Sequence, residues 1–391
     1  MSHPINTNQS GLEADYAVIG LGAMGASTLY CLARSGGKVV GIDRYSPPHH
    51  HGASHGGYKV TREAVAEGQA YLHFVRRSNE LLHDLERQYN VNLLQRTGTL
   101  IIGSEAATSS NGFLRDTVQI AQANEIEHQV SSSKDLKRLY PQLIGVANED
   151  AGYFEPNAGF IRPEPLLSLQ IALARQAGAE IFENTAVTRI TPIAGGVEVE
   201  ADGLRIRARQ VVVATGRWTD DLFGGRFGTL LSVTRQRTFA FKALDIAAYR
   251  LNRFPTLMWF RESAGGECVT VFPLEGSADG VKFFVADTEV DPRVGPSGER
   301  FYQHHVQPFF EGISSQLLAS ETCFYTSTPD HGFVLDWHPD IPGLFLASAC
   351  SGHGFKHALG LGETIAALLT GQSVPDLSVF SLDRFSASMG R

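Results

Sequence analysis

The residues with the clearest chemical potential near the start of the chain are three glycines followed by an acid. Gly20, Gly22 and Gly25 form a GxGxxG pattern, and Asp43 follows at the distance expected for such a motif. The first glycine allows a tight turn, the second lets the backbone approach a pyrophosphate, and the third lets a helix and a strand pack closely. The acid suits the hydroxyls of a ribose. The pattern predicts a bound dinucleotide and leaves FAD and NAD open.

The surrounding residues predict the strand–helix–strand unit that this turn requires. Tyr16–Ile19 is typical of a buried strand, Ala26–Arg34 of a helix, and Lys38–Ile42 of a second strand that ends at Asp43. The N-terminus of the helix offers free N–H groups and partial positive charge to phosphates. An acid in this position, rather than arginines, disfavours NADP.

The rest of the chain predicts an α/β fold in which a dinucleotide-binding domain is interrupted by a second domain. Patterns along the chain predict a long helix at Tyr71–Tyr89, a strand at Gln95–Ile102, a buried parallel strand at Gln210–Thr215, a largely antiparallel sheet from Leu231 to Phe284, and a helix at Leu359–Leu369. We assign residues 1–90, 152–228 and 324–391 to a discontinuous Rossmann-like domain. Residues 91–151 and 229–323 then form an inserted, largely antiparallel α+β substrate domain.

Composition and charge exclude several classes of partner. A net charge of −8 disfavours nucleic acid and anionic membranes, since no basic surplus offsets phosphate repulsion. The four cysteines are widely spaced without a CxxC pair, so neither a zinc site nor a disulfide framework is predicted, and no metal is expected. The polar N-terminal tail lacks the features of a signal peptide, and no apolar run could span a membrane. We expect a cytoplasmic protein.

A second group of motifs lies in the C-terminal third. Cys323–Asp330 reads CFYTSTPD, Phe333–Asp336 reads FVLD, Ser351–Lys356 reads SGHGFK, and Gly362-Glu363 follows. These segments resemble the family of monomeric sarcosine oxidase and N-methyltryptophan oxidase, and the resemblance covers nearly the whole chain from Tyr16. It implies FAD as the cofactor and oxidation of secondary amino acids at the C–N bond with dioxygen. An NAD-linked dehydrogenase would leave these C-terminal motifs unexplained.

The resemblance also implies roles for individual side chains. Cys323 would carry the flavin through a thioether, and Lys282 would lie beneath the flavin ring and activate dioxygen, since a fixed cation stabilises superoxide. Arg62 and Lys356 would hold a substrate carboxylate, and His353 would lie near the flavin. Further cofactor contacts are implied for Arg44, His55, Lys59, Val187, Gly216, Gly354 and Phe355. The residue types alone leave simpler alternatives open: a buried inert thiol, surface cations and a hydrogen-bonded turn histidine.

Three positions of the expected pocket depart from this family. Lys59 stands where the family has an arginine, Thr270 where it has a tyrosine, and Ala286 where it has a histidine. The last two changes enlarge the pocket and remove polar contacts. They disfavour sarcosine itself, whereas Arg62 and Lys356 still favour a substrate that carries a carboxylate.

The expected reaction is hydride transfer from the carbon beside a neutral amine nitrogen to the flavin, which gives an imine. Dioxygen then accepts the electrons and leaves as hydrogen peroxide. Two alternatives remain open: a flavin dehydrogenase that passes electrons to a carrier protein, and a non-catalytic FAD-binding protein of the same fold. Because the family contains monomers, we expect a monomer with a small amine and dioxygen as its only partners.

Overall fold

The structure, a computed structural model, describes residues 11–104, 112–224, 227–261, 267–285 and 298–385. The strands are β1 (Leu12–Ile19), β2 (Val39–Ile42), β3 (Lys59–Thr61), β4 (Leu94–Gln95), β5 (Thr99–Ser104), β6 (Gln129–Ser132), β7 (Asp150–Glu155), β8 (Gly159–Ile161), β9 (Glu180–Phe182), β10 (Val187–Ile193), β11 (Gly196–Ala201), β12 (Leu204–Val213), β13 (Ser232–Ala243), β14 (Thr256–Arg261), β15 (Glu267–Phe272), β16 (Gly280–Val285), β17 (Ile313–Ser327), β18 (Val334–Trp337) and β19 (Leu344–Ser348).

The helices are α1 (Ala23–Arg34), α2 (Gln69–Tyr89), α3 (Phe113–Ala123), α4 (Ser133–Leu139), α5 (Pro163–Gln176), α6 (Thr219–Leu222), α7 (Glu299–Phe301) and α8 (Ala358–Leu369). Short 3₁₀ turns occur at Gly216–Trp218, Ala247–Tyr249, Gly354–His357, Ser378–Phe380 and Leu382–Phe385, and Tyr302–Val306 is a π-helical turn. Among the described residues, no helix is long and apolar enough to cross a membrane.

The chain divides into two compact units. The first comprises the described residues within 1–55, 164–233 and 325–391, and the second those within 56–163 and 234–324. The predicted domain boundaries differ from this division. Residues 56–90, 152–163 and 324 lie in the second unit instead of with the dinucleotide-binding segments, and residues 229–233 lie in the first. The largest differences arise because β3 and β4 both pair with β8, and β5 pairs with β7.

The first unit is built around a mixed sheet with a parallel centre. Strands β9, β2, β1, β12 and β19 run parallel in that order, and β10, β11 and β18 extend the sheet with antiparallel pairs. The strands β1 and β2 flank α1, as the sequence predicts. Helix α8 packs closely on α1, because Gly362 leaves room that a Cβ would fill at 2.5 Å from Cβ of Ser27. The predicted α/β class with a Rossmann-like sheet is confirmed.

The second unit contains the largely antiparallel sheet that the sequence predicts. Its order is β17-β13-β16-β15-β14-β5-β7-β6, in which β14 and β5 pair in parallel. The pairs from β13 to β16, β16 to β15, β15 to β14, β5 to β7 and β7 to β6 are antiparallel. One sheet face is covered by an aromatic core that includes Trp259, Phe241 and Phe283. The predicted strand Gln95–Ile102 is wrong as a single element. Gly98, at φ +69°, turns the chain so that β4 and β5 join different sheets.

Candidate active site

The glycine turn of the first unit has the close packing that its sequence predicts. Gly20 has φ +85°, and a Cβ there would lie 2.7 Å from the carbonyl oxygen of Ala214. A Cβ on Gly25 would lie 1.7 Å from the carbonyl oxygen of Gly20. At Gly22 the nearest atom is the movable Oγ of Ser54, at 3.1 Å. Gly20 and Gly25 therefore admit no side chain. Gly22 is less restricted, because only a movable side-chain atom lies near it.

Asp43 is fixed beside this turn by backbone donors. Its Oδ2 accepts a hydrogen bond from the Leu21 amide at 2.7 Å, and its Oδ1 accepts one from the Tyr45 amide at 2.8 Å. The Nε2 of His49 lies 3.4 Å from Oδ1. The carboxylate is only 5% exposed, so the turn and the acid form one rigid cradle. Such a cradle, at the N-terminus of α1, fits the anionic pyrophosphate and ribose of a dinucleotide.

The remaining expected cofactor contacts of the first unit lie on its loops and strand ends. The Arg44 guanidinium lies 5.6 Å from the Trp218 ring centroid. His55 is buried with its ring edge-on to His50, and Val187 is buried at the start of β10. Gly216, at φ +54°, follows β12 and opens a 3₁₀ turn.

The SGHGFK segment is a tight turn that precedes α8. Gly354 admits no side chain, because a Cβ would lie 1.7 Å from the carbonyl oxygen of Ala349. A ring nitrogen of His353 contacts the carbonyl oxygen of His331 at 2.9 Å, and its ring stacks on Phe333. The Lys356 ammonium is buried at 2% exposure and donates to the carbonyl oxygen of His353 at 2.9 Å. Phe355, which directly precedes Lys356 in the chain, is half-buried. The turn thus holds a buried cation.

In the second unit, the register of the sheet brings Lys282 and Thr270 onto one face. Lys282 on β16 pairs with Phe272, and Thr270 on β15 pairs with Phe284. Because side chains alternate between faces and paired residues share one, Lys282 and Thr270 are diagonal neighbours. The other face carries the aromatic core. Ala286, the third expected pocket residue, lies outside the described residues.

Arg62 is connected to the same face of the sheet by the contacts of two aromatic rings, Phe113 and Phe260. Its guanidinium lies 5.0 Å from the Phe113 ring centroid, and Phe113 stacks on Phe260 at 4.3 Å. Phe260 pairs with Cys268, which precedes Thr270 by two residues on the same face. Burial raises the pKa of the Cys268 thiol to about 12, so this thiol stays protonated. The face therefore combines two cations with an apolar lining.

The cation Arg62 already has a carboxylate partner. The Arg62 side chain is 3% exposed, and its Nη2 lies 3.0 Å from Oε2 and 3.1 Å from Oε1 of Glu67. Its Nε is buried without a hydrogen-bond partner among the described residues. The arginine thus keeps donor capacity for a further acceptor.

Two acids that sequence reasoning missed hold these cations in place. Glu155 is buried and accepts hydrogen bonds from the amides of Glu63 (2.6 Å) and Ala64 (3.1 Å), which directly follow Arg62. The Oε2 of Glu321 lies 2.6 Å from Nζ of Lys282. Glu155 lies within Phe154–Gly159 (FEPNAG), one of the segments covered by the nearly full-length resemblance to the family, and this was the one available signal for it. Nothing in the sequence distinguishes Glu321 from other surface acids.

Cys323 and Lys59 complete the set of expected site residues in the second unit. Cys323 is 8% exposed on β17, and no disulfide joins any of the four cysteines. Lys59 is half-buried on β3, where its backbone pairs with Ile161. Within the described ranges, no cluster of three or more His, Cys, Asp or Glu side chains could hold a metal ion.

Comparison with known proteins shows the family to which the chain belongs. Residues 15–368 match the family described as DAO, FAD dependent oxidoreductase. The chain belongs to this family. Monomeric sarcosine oxidase from Streptomyces avermitilis is 30% identical over 387 residues, which cover 96% of this chain and 98% of the relative. N-methyl-L-tryptophan oxidase from Yersinia pestis is 28% identical over 385 residues, covering 96% and 100%.

Solved structures of low sequence identity share the fold. NikD, described as an unusual amino acid oxidase, has a TM-score of 0.79 at 20% identity and covers 95% of this chain and 97% of its own. L-proline dehydrogenase from P. horikoshii has a TM-score of 0.79 at 18% identity, with 97% and 100% covered. The predicted family, fold class, FAD dependence and oxidoreductase class acting on C–N bonds are confirmed. The thioether and the individual site roles stay predictions.

Proposed function

We propose that this protein oxidises the C–N bond of a small, carboxylate-bearing amine to an imine and reduces dioxygen to hydrogen peroxide. The observation that carries this proposal is the sheet face on which Lys282 and Thr270 are neighbours and which Arg62 reaches through Phe113 and Phe260. An oxidase of this kind needs a cation for oxygen reduction and a cation for substrate binding. Lys282 and Arg62 could supply these two charges, and both belong to the second unit.

FAD would be held by the cradle formed by Gly20, Gly22, Gly25 and Asp43, with Arg44 and the Gly354 turn as further contacts. Bound FAD supplies the acceptor for a hydride from the substrate carbon. The glycines leave room for close approach of the backbone, and the α1 N-terminus favours the anionic phosphates. The protein contributes position and charge, which are the usual contributions of a protein to a flavin reaction.

A substrate carboxylate would bind Arg62, because a buried guanidinium offers paired donors to an anion. The family resemblance gives Lys356 the same role. Glu67 already pairs with Nη2 of Arg62 and therefore competes with the substrate carboxylate for this guanidinium. Thr270 in place of a tyrosine leaves space beside the apolar pair of Phe113 and Phe260. We therefore favour a substrate larger than sarcosine with an apolar substituent.

We further propose that Cys323 carries the flavin through a thioether. The CFYTSTPD match, which begins at Cys323 on β17, supports this assignment. Acid precipitation tests it: flavin absorbance should stay in the protein pellet, whereas Cys323→Ser should release all flavin to the supernatant. The matched control Cys268→Ser should behave as the parent. Release from both the parent and the variant would contradict the tether while leaving FAD binding intact.

The activity is tested by an aerobic peroxide screen across N-methyl, cyclic and primary amino acids, each paired with its decarboxylated analogue. We expect peroxide with at least one carboxylate-bearing amine and a much higher KM for its analogue. Flavin reduction without peroxide release would support the dehydrogenase alternative. Absence of reduction by any amine would support the non-catalytic one. We propose a monomer in the cytoplasm, and gel filtration tests the first of these.

A further inference from the structure

Lys282 is held by an acid of the same unit. Its Nζ donates to Oε2 of Glu321 at 2.6 Å and also donates to the carbonyl oxygen of Gly56. The Lys282 side chain is 14% exposed, whereas that of Glu321 is 47% exposed. The Tyr58 ring centroid lies 5.8 Å from Nζ. The ammonium is thus fixed by two oxygens, of which one carries a full negative charge.

We propose that Glu321 is a positioning residue that restrains the positive charge of Lys282 and thereby slows the reduction of dioxygen. The proposal rests on the function proposed above, in which Lys282 assists the oxidative half of the reaction. It identifies the residue that adjusts the rate of that half-reaction. Neither the family motifs nor the substrate contacts include this acid.

The balance of the oxidative half-reaction determines which charge the protein must stabilise. Dioxygen takes two electrons from the reduced flavin and two protons in total, and leaves as hydrogen peroxide while the flavin returns to its oxidised form. Transfer of the first electron makes superoxide, which a nearby cation stabilises. An acid 2.6 Å from that cation nearly cancels its field at a distance, because the pair then acts as a dipole. Removal of the acid charge should therefore favour electron transfer.

A substitution at Glu321 can remove its negative charge while the Lys282 ammonium keeps its position. In Glu321→Gln the amide oxygen can still accept from Nζ, and the carbonyl oxygen of Gly56 continues to hold the ammonium. The substitution therefore removes charge with little change of shape. Glu321 is half-exposed, so the variant should fold, and solvent screening limits the effect to about threefold to tenfold in rate.

The experiment uses the flavin-loaded protein reduced with dithionite under anaerobic conditions, so no substrate is needed. Reduced protein is mixed with oxygenated buffer, and flavin reoxidation is followed by stopped-flow absorbance. Glu321→Gln should reoxidise about threefold to tenfold faster than the parent, and Glu321→Asp should stay close to the parent. The control Glu311→Gln, which removes the same charge from an exposed position just before β17, should leave the rate unchanged.

An equilibrium readout accompanies the rate. Reductive titration against a reference dye should show a higher flavin reduction potential in Glu321→Gln, because the Lys282 charge, no longer offset by a carboxylate, stabilises the reduced, anionic flavin. A tenfold change in the oxidised-to-reduced ratio corresponds to about 30 mV for a two-electron couple. Glu311→Gln should keep the parental potential.

A double-variant comparison separates failure of this inference from failure of the proposed function. Lys282→Met should slow reoxidation strongly, and Glu321→Gln should have no further effect in that background. If Lys282→Met lowers the rate but Glu321→Gln leaves both the rate and the potential unchanged, the role of Glu321 is wrong and the proposed function stands. If Lys282→Met itself reoxidises at the parental rate, the function proposed for Lys282 is wrong.

Discussion

Substitution of Gly25 by alanine is the sharpest structural test of the cofactor cradle. Gly25 lies in the first turn of α1, where alanine would ordinarily stabilise a helix by about 1 kcal/mol. In this structure, however, the new Cβ would meet the carbonyl oxygen of Gly20 at 1.7 Å, against 3.4–4 Å for ordinary contact. The carbonyl oxygen belongs to the packed backbone of the turn and the Cβ is fixed to the backbone of α1, so the helix must move away from the strand. The clash should therefore reverse the sign that helix propensity predicts.

The expected cost is about 3 kcal/mol in the free energy of unfolding, the upper end of the range for overpacked sites. Gly22→Ala is the matched control, because its Cβ meets only the Oγ of Ser54 at 3.1 Å and its φ of −71° suits alanine. We expect Gly22→Ala to unfold within about 1 kcal/mol of the parent. It should nevertheless weaken FAD binding, since this glycine lets the backbone approach the pyrophosphate.

Both variants are best made with Cys323→Ser, so that flavin can be removed and titrated back whether or not a thioether forms. Urea unfolding of the flavin-free proteins gives the stabilities, and quenching of flavin fluorescence gives the affinities. A Gly25→Ala protein as stable as its parent would refute the close packing of α1 on the turn. A Gly22→Ala protein that binds FAD as tightly as its parent would refute the assignment of this turn to the pyrophosphate.

Further predictions concern buried and paired acids. Glu155→Gln should cost about 2–4 kcal/mol, because its new NH₂ faces donors that now share a carboxylate; urea unfolding checks this. Burial raises the pKa of Glu155, so the parent should lose stability as pH rises above the ordinary carboxyl range through this raised pKa, and the variant should lack that loss. Burial acts to raise the pKa of Asp330, but hydrogen bonds led by that from Arg384 outweigh it and lower the pKa to about 2. The ionised Asp330 carboxylate should add about 1 kcal/mol to the free energy of unfolding after allowance for solvent screening. This contribution should be present above pH 4 and lost as the pH falls through about 2. Asp330→Asn should abolish this pH dependence in acid titrations of stability. Glu67→Gln should lower the KM of a carboxylate-bearing substrate severalfold, because it removes the competitor for Arg62, and steady-state kinetics would show an unchanged or raised KM if that competition is absent.

The parts of the fold that the sequence predicts well are those set by local pattern. The glycine turn, α1 and the acid that ends β2 follow from spacing and periodicity within about thirty residues. The boundary between the compact units could not be read in this way. It depends on β3 and β4 pairing with β8, and such long-range pairs leave little trace in a single sequence.

The candidate site could likewise be predicted only where the signal was local in sequence. Lys282 and Arg62 were predicted from motifs, whereas Glu155 and Glu321 were missed because each acts through a contact with a distant segment. Glu321 meets Lys282 across 39 positions of the chain, and Glu155 meets Glu63 across 92. A carboxylate's role depends on what it faces, and only the register of the folded sheet supplies that information.

The most direct test of the central claim is anaerobic mixing of the flavin-loaded protein with a carboxylate-bearing secondary amine, followed by admission of oxygen. The flavin absorbance near its visible maximum should bleach in the first step. It should return in the second, with one hydrogen peroxide formed for each flavin reoxidised. A flavin spectrum that no amine changes, although dithionite bleaches it, would contradict the assignment of this protein as an amine oxidase.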